Sequence, residues 1–109
     1  MVAVRATVVW DGPGADIIRV FVEPPLPSGA VVHDEDVILY RALDQNEEPT
    51  GPVTGVEIIG FLEFNRWDAL PQLDLLWQLP GQEPLPLDEL LKREQRRLRQ
   101  QAERAASLA

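Results

Sequence analysis

The sequence predicts an α+β fold in which a small antiparallel β-sheet of four to five strands is followed by a C-terminal α-helix. Over residues 2–64, short β-branched runs alternate with turn clusters rich in glycine, proline and acidic residues. Residues 87–108 contain no glycine or proline and consist mostly of residues that favour helices. A chain of 109 residues with 45% hydrophobic content has room for one core.

The strands are predicted from runs of apolar and β-branched side chains, which alternate with polar ones where one face is exposed. The runs occupy residues 2–10, 16–23, 37–43 and 53–64. Gly55 and Gly60 interrupt the last of them and are candidate bulge positions. The proline-rich segment 24–29 and the polar segment 44–52 are predicted to be loops.

The sheet needs a cover for its apolar face, and the rest of the chain must supply it. We expect the apolar segment from Trp67 to Leu79 to lie against the sheet. Residues 1–79 then form a β domain with its covering segment, residues 80–86 a proline-rich connector, and residues 87–109 a charged helix.

The predicted C-terminal helix carries a leucine stripe and is a candidate partner-binding element. Leu87, Leu91 and Leu98 fall near one side of it, whereas cations such as Arg93 and Arg97 spread over the rest. The stripe has three alternative uses: it folds back on its own body, pairs with a second copy as a helix–helix dimer, or docks in a partner's groove. Contact with nucleic acid is a less favoured fourth alternative, because no aromatic residue lies among the cations.

The charge of the chain is unevenly distributed. Residues 92–109 carry six cations against two acids, a net charge of +4, whereas residues 1–91 carry four cations against sixteen acids, a net charge of −12. Such an acidic body repels nucleic acid and attracts a basic protein partner. Glu47 and Glu48, in the acidic loop, are candidate contacts for that partner.

The sequence shows no assembled catalytic or cofactor site, and we expect neither enzyme activity nor a cofactor. The segment from His33 to Asp36 is interpreted as a solvated turn, with ligation of a divalent metal as the alternative. Glu57 is interpreted as an exposed strand acid, with general acid–base chemistry as the alternative. No phosphate-binding loop or nucleophile motif is present.

The location of the chain is predicted from what its sequence lacks. No stretch approaches the roughly 18 apolar residues that a membrane span needs, and no signal peptide is apparent, so we expect no membrane insertion. The chain contains no cysteine, which suits a small domain in a reducing interior. A cytoplasmic protein is therefore expected.

Several short segments together resemble the domain-of-unknown-function family 2283, a group of small bacterial and phage β-rich domains. The matching residues lie within residues 5–62 and are Trp10-Asp11, Ala15 to Val20, Asp36 to Tyr40 and Val53 to Ile59. The chain departs from the family pattern in its proline-rich insert, its acidic loop and its C-terminal extension. The family has no established activity, and the resemblance implies an arrangement like that of an antitoxin beside a toxin-like protein more than a catalytic one.

The combined expectation is a non-catalytic protein-binding module, antitoxin-like, whose acidic body binds a basic protein partner. The alternative is a structural or oligomerising accessory protein that acts through its C-terminal helix, for example as a homodimer.

Overall fold

A computed structural model describes residues 2–108, which form one six-stranded sheet packed against a long helix. The strands are β1 (Val2–Trp10), β2 (Ile17–Val22), β3 (Ser28–Asp34), β4 (Val37–Ala42), β5 (Val53–Ile59) and β6 (Leu75–Gln78). A one-turn helix, α1 (Gly12–Ala15), joins β1 to β2, and α2 (Leu87–Leu108) is the long helix. The predicted α+β class is confirmed. Met1 and Ala109, which end the predicted ranges 1–79 and 87–109, lie outside the described residues.

The strand order in the sheet is β3-β4-β5-β2-β1-β6. The first five strands pair antiparallel, but β6 pairs parallel with β1, from Val2 opposite Leu75 to Arg5 opposite Gln78. The structure thus has one strand more than the upper limit of the predicted four to five, and the sheet is mixed and not purely antiparallel. The expectation that all of Trp67 to Leu79 covers the sheet is corrected, because β6 extends the sheet edge. A short apolar run between turns fits a buried cover and a strand equally well.

The core lies between one face of the sheet and α2. Ile18, Val20, Val56 and Ile58 point to this side and form one buried cluster with leucines of α2. The 3₁₀ turn Phe61–Glu63 after β5 also contacts α2. The helix therefore provides the cover that the sheet requires.

A buried glutamine fixes the helix against this turn. The side-chain amide nitrogen of Gln95 donates hydrogen bonds to the carbonyl oxygens of Phe61 at 2.7 Å and of Phe64 at 2.8 Å. Gln95 is only 6% exposed, so both bonds are shielded from water. They set the position of α2 along the sheet.

The segment before α2 is held against the outer edge of β6. The amide and carbonyl of Trp77 pair with those of Leu85 at 2.7 and 2.9 Å. The predicted connector, residues 80–86, is thus partly tied to the sheet. Asp88 and Glu89 lie in the first turn of α2, where acids interact favourably with the helix dipole.

Candidate protein-interaction surface

The side of the sheet that faces away from α2 forms a surface that we call the open face. Because directly paired residues of antiparallel strands point to the same side, the strand register defines it as two rows of side chains. In the order β3 to β1, the first row is Val32, Ile38, Glu57, Arg19 and Val9. The second row, in the same order, is Ala30, Tyr40, Gly55, Phe21 and Thr7. None of these residues belongs to the buried core.

The open face is apolar at its sides and polar at its centre. Val32 is 76% exposed and Val9 is 40% exposed, at opposite sides of the rows. Ile59, next to the first row, is also 40% exposed. This arrangement inverts the usual interface, which is apolar at its core and polar at its rim. The exposed aliphatic side chains still offer surface that a partner can bury.

An ion pair occupies the centre of the open face. The Nε of Arg19 donates to Oε1 of Glu57 at 2.7 Å, and the hydroxyl of Tyr40 donates to the same oxygen at 3.3 Å. The Nη1 of Arg19 also lies 3.3 Å from Oδ2 of Asp11. The hydrogen bond that Arg19 donates to Glu57 raises the pKa of Arg19, and burial together with the charge of Glu57 raises the pKa of Tyr40. These contacts hold the charged groups at defined positions.

The position of Glu57 corrects its interpretation as an exposed strand acid. The residue is only 8% exposed and is paired with Arg19 across β2 and β5. Burial of a carboxylate is tolerated here because a guanidinium group accompanies it. The arrangement is an anchored ion pair rather than two carboxylates that share a proton.

A depression of about 260 Å³ lies at one end of the open face, beside the proline-rich loop. Its lining is mostly apolar and includes a few polar groups. The lining includes Phe21, Val22, Pro25, Leu26 and Tyr40, with Arg19, Ser28 and Thr54. A cavity of this size accepts one apolar side chain of a binding partner.

The acidic loop between β4 and β5 is ordered by a single carboxylate. Asp44 accepts hydrogen bonds from the amides of Asn46 at 2.8 Å and Glu48 at 3.0 Å, and from the hydroxyl of Thr50 at 2.8 Å. These bonds lower the pKa of Asp44. Glu47 and Glu48 are exposed on this ordered loop, so both predicted contact residues are accessible.

The turn between β3 and β4 is bridged by an arginine. Arg66 places Nη1 3.0 Å from Oδ1 of Asp34 and Nη2 3.2 Å from Oδ2 of Asp36. The amide of Glu35 and the guanidinium of Arg66 lower the pKa of Asp34. Within residues 2–108, no cluster of three or more histidine, cysteine or acidic side chains could hold a metal ion. Asp34 and Asp36 are thus held by Arg66, whereas His33 and Glu35 are exposed.

The predicted leucine stripe is part of the chain's own core. Leu87, Leu91 and Leu98 are at most 5% exposed and belong to the cluster that includes the sheet. The stripe thus folds back on its own body, which was the first of its three alternatives. These leucines are covered in the folded chain and offer no surface to a partner.

The two predicted cations of α2 differ in their surroundings. Arg93 is half-buried, and its Nη2 has no hydrogen-bond partner within residues 2–108. Arg97 is exposed, and its Nε donates to Oε2 of the buried Glu94 at 2.7 Å. Neither cation contacts the open face. Arg19 and Tyr40, which lie at its centre, were not among the predicted site residues.

No helix in the described part of the chain is long and apolar enough to cross a membrane. The resemblance to family 2283 stays a prediction. Comparisons with models of known protein families, with curated proteins and with solved structures found no match to this chain.

Proposed function

We propose that this chain is a non-catalytic protein-binding module that uses the open face to bind a basic protein partner. The observation that carries the proposal is the open face itself, where exposed Val9 and Val32 flank the anchored pair of Arg19 and Glu57. Aliphatic surface supplies affinity when it is buried against a partner. A fixed charge pair at the centre supplies specificity, because a partner without complementary polar groups desolvates the pair and gives no hydrogen bonds in return.

The charge distribution supports a basic partner. Residues 1–91 have a net charge of −12, and Glu47 and Glu48 are exposed at one end of the sheet. A field of this sign speeds the approach of a cationic protein and repels nucleic acid. We propose an antitoxin-like role in which the acidic body covers a basic protein. The cysteine-free composition fits a cytoplasmic setting for this complex.

The proposal is tested by identifying a partner and then measuring its affinity with purified proteins. The chain is used to capture proteins from a lysate of its host, and a captured protein is purified for titration calorimetry. The double variant Val9→Ser/Val32→Ser removes aliphatic surface from the open face. Its matched control is Val2→Ser, because Val2 is 67% exposed but lies outside the two rows.

We expect the double variant to weaken binding by about tenfold and the control to bind as the unmodified chain does. Raising the salt from about 0.1 M to about 1 M shortens the screening length from about 10 Å to about 3 Å, so it should weaken the complex as well. A complex that is insensitive to both the double variant and the salt would contradict the proposal.

A second candidate function is oligomerisation through the last turns of α2. It is favoured by the exposure of residues 99–107, of which only Ala102 is half-buried. Sedimentation of the purified chain tests it: a dimer that dissociates when Arg104 is changed to Glu supports this function. A chain that stays monomeric at high concentration refutes it.

A further inference from the structure

Strand β3 forms an edge of the sheet to which no further strand is paired within residues 2–108. Its first five residues, Ser28 to Val32, contain no charged residue and no proline. Edge strands that resist pairing with another chain usually carry charged residues or proline. Ala30 and Val32 are exposed, so a second chain can reach this edge.

The backbone groups that β3 directs outward are identified from the hydrogen bonds of β4. The amide of Ala42 donates to Pro52 and its carbonyl accepts from Gly51, both on the side of β5. Ser28, which lies opposite Ala42, therefore directs its amide and carbonyl away from β4. Because this direction alternates along a strand, Ala30 and Val32 also point their amide and carbonyl groups to the free edge.

Acidic residues flank the free edge at both ends. At its start, Gly29 lies against Pro49, the residue that follows Glu48 in the acidic loop. At its end, Asp34 is the last residue of β3 and Glu35 begins the turn to β4. Arg66 offsets the charge at this second end, since it pairs with Asp34. The stronger attraction for a cation is therefore at the Glu47–Glu48 end.

We infer that β3 binds an extended, cationic segment of the protein partner, which adds to the sheet as a further strand. This inference rests on the proposed function for the basic character of the partner, and it adds the place and the conformation of the bound segment. The outward groups of Ser28, Ala30 and Val32 form the ladder of backbone hydrogen bonds. Alternate aliphatic residues of the segment extend the open face beside Val32, and its lysines or arginines meet the acidic ends.

The first test uses synthetic peptides on the unmodified protein. The probe is a peptide of about seven residues that alternates valine and lysine, the length of an ordinary strand. One control has the same side chains with every backbone nitrogen methylated, and a second replaces each lysine with glutamate. Binding is followed by nuclear magnetic resonance and by the amide hydrogen exchange of Ala30 and Val32.

We expect the valine–lysine peptide to slow the exchange of both amides and to bind at least about tenfold more tightly than either control. Equal binding of the methylated peptide would overturn the inference, because backbone pairing is then not used. Unchanged exchange at Ala30 and Val32 on saturation with the valine–lysine peptide would also overturn it.

The second test uses Ala30→Pro in the complete chain. Proline removes the outward amide of residue 30 but no amide that is paired with β4. The matched control, Ala30→Ser, keeps that amide. We expect the proline variant to bind the peptide at least about tenfold more weakly and the serine variant to bind normally. If the proline variant does not fold, the methylated peptide decides the question.

The same variants separate this inference from the proposed function. If the captured partner binds Ala30→Pro as tightly as Ala30→Ser, the inference fails while the proposed function stands. If Val9→Ser/Val32→Ser and salt both leave partner binding unchanged, the proposed function fails as well. A dimer of the chain alone, formed by pairing β3 with β3 of a second copy, would replace the cationic segment as occupant and overturn the inference.

Discussion

Replacing Leu91 with alanine should destabilise the folded monomer by about 2–5 kcal/mol. Leu91 is completely buried between α2 and the sheet. The substitution removes the equivalent of about three methylene groups, for which the lost transfer free energy is roughly 2–2.5 kcal/mol. The cavity left in the core adds to this value. At about 4 °C or more per kcal/mol, the melting temperature should fall by at least about 8 °C.

Urea unfolding, followed by tryptophan fluorescence, measures this change. The unmodified chain and Leu91→Ala are unfolded at two protein concentrations about a hundredfold apart, because only a dimer gains stability with concentration. Gln101→Ala is the control, since Gln101 is exposed on the same helix. We expect concentration-independent midpoints and a control within about 0.5 kcal/mol of the unmodified chain.

The opposite pattern would refute this account of α2. If the unfolding midpoint of the unmodified chain rises with concentration, and Leu91→Ala removes that rise with little change in the monomer, the leucine stripe lies between two chains. The helix would then be a dimer element rather than part of the core.

Three further predictions concern polar contacts. Gln95→Leu should lower the free energy of unfolding by about 2 kcal/mol, because the carbonyl of Phe64 loses the donor Gln95 and the carbonyl of Phe61 keeps only the amide of Phe64. An unchanged urea midpoint, equal to that of Gln100→Leu, would contradict this. Asp44 has a lowered pKa when folded, so its stabilisation is complete above the unfolded value of about 3.9 and is lost as the pH falls through the folded value. The free energy of unfolding of Asp44→Asn should therefore fall less steeply below about pH 4 than that of the unmodified chain. Identical curves of unfolding free energy against pH for the two proteins would refute this prediction. Tyr40 is the only tyrosine, so an ultraviolet titration measures its pKa directly. Glu57→Gln should lower this raised pKa, whereas the control Glu48→Gln should not. The same titration curve for both variants would show that Glu57 has no influence on the pKa of Tyr40.

The parts of the fold that were predictable depend on local sequence. Helix α2 begins at Leu87 as predicted, because a proline precedes it and no glycine or proline follows. The edge strand β6 was not predicted, since its four residues carry no alternation and its partner β1 is far away in the chain. Short buried runs show their structure only in the tertiary context.

Only the parts of the candidate surface that depend on neighbouring residues in the sequence were predictable. Glu47 and Glu48 lie in a polar, turn-rich segment, and both are exposed as predicted. The pairing of Arg19 with Glu57 joins residues that are 38 positions apart, and it depends on the register between β2 and β5. The hydrophobic pattern of a strand fixes which side chains face the core, but it does not say which residue of a distant strand lies opposite. The polar centre of the open face could therefore not be inferred from the sequence.

Amide hydrogen exchange of the chain, alone and in complex with its captured partner, tests most directly where binding takes place. We predict that the partner slows the exchange of Ala30 and Val32 in β3 and leaves the exchange of residues 99–107 of α2 unchanged. Slowed exchange confined to residues 99–107, with Ala30 and Val32 unaffected, would show that the partner binds the helix and would contradict the account.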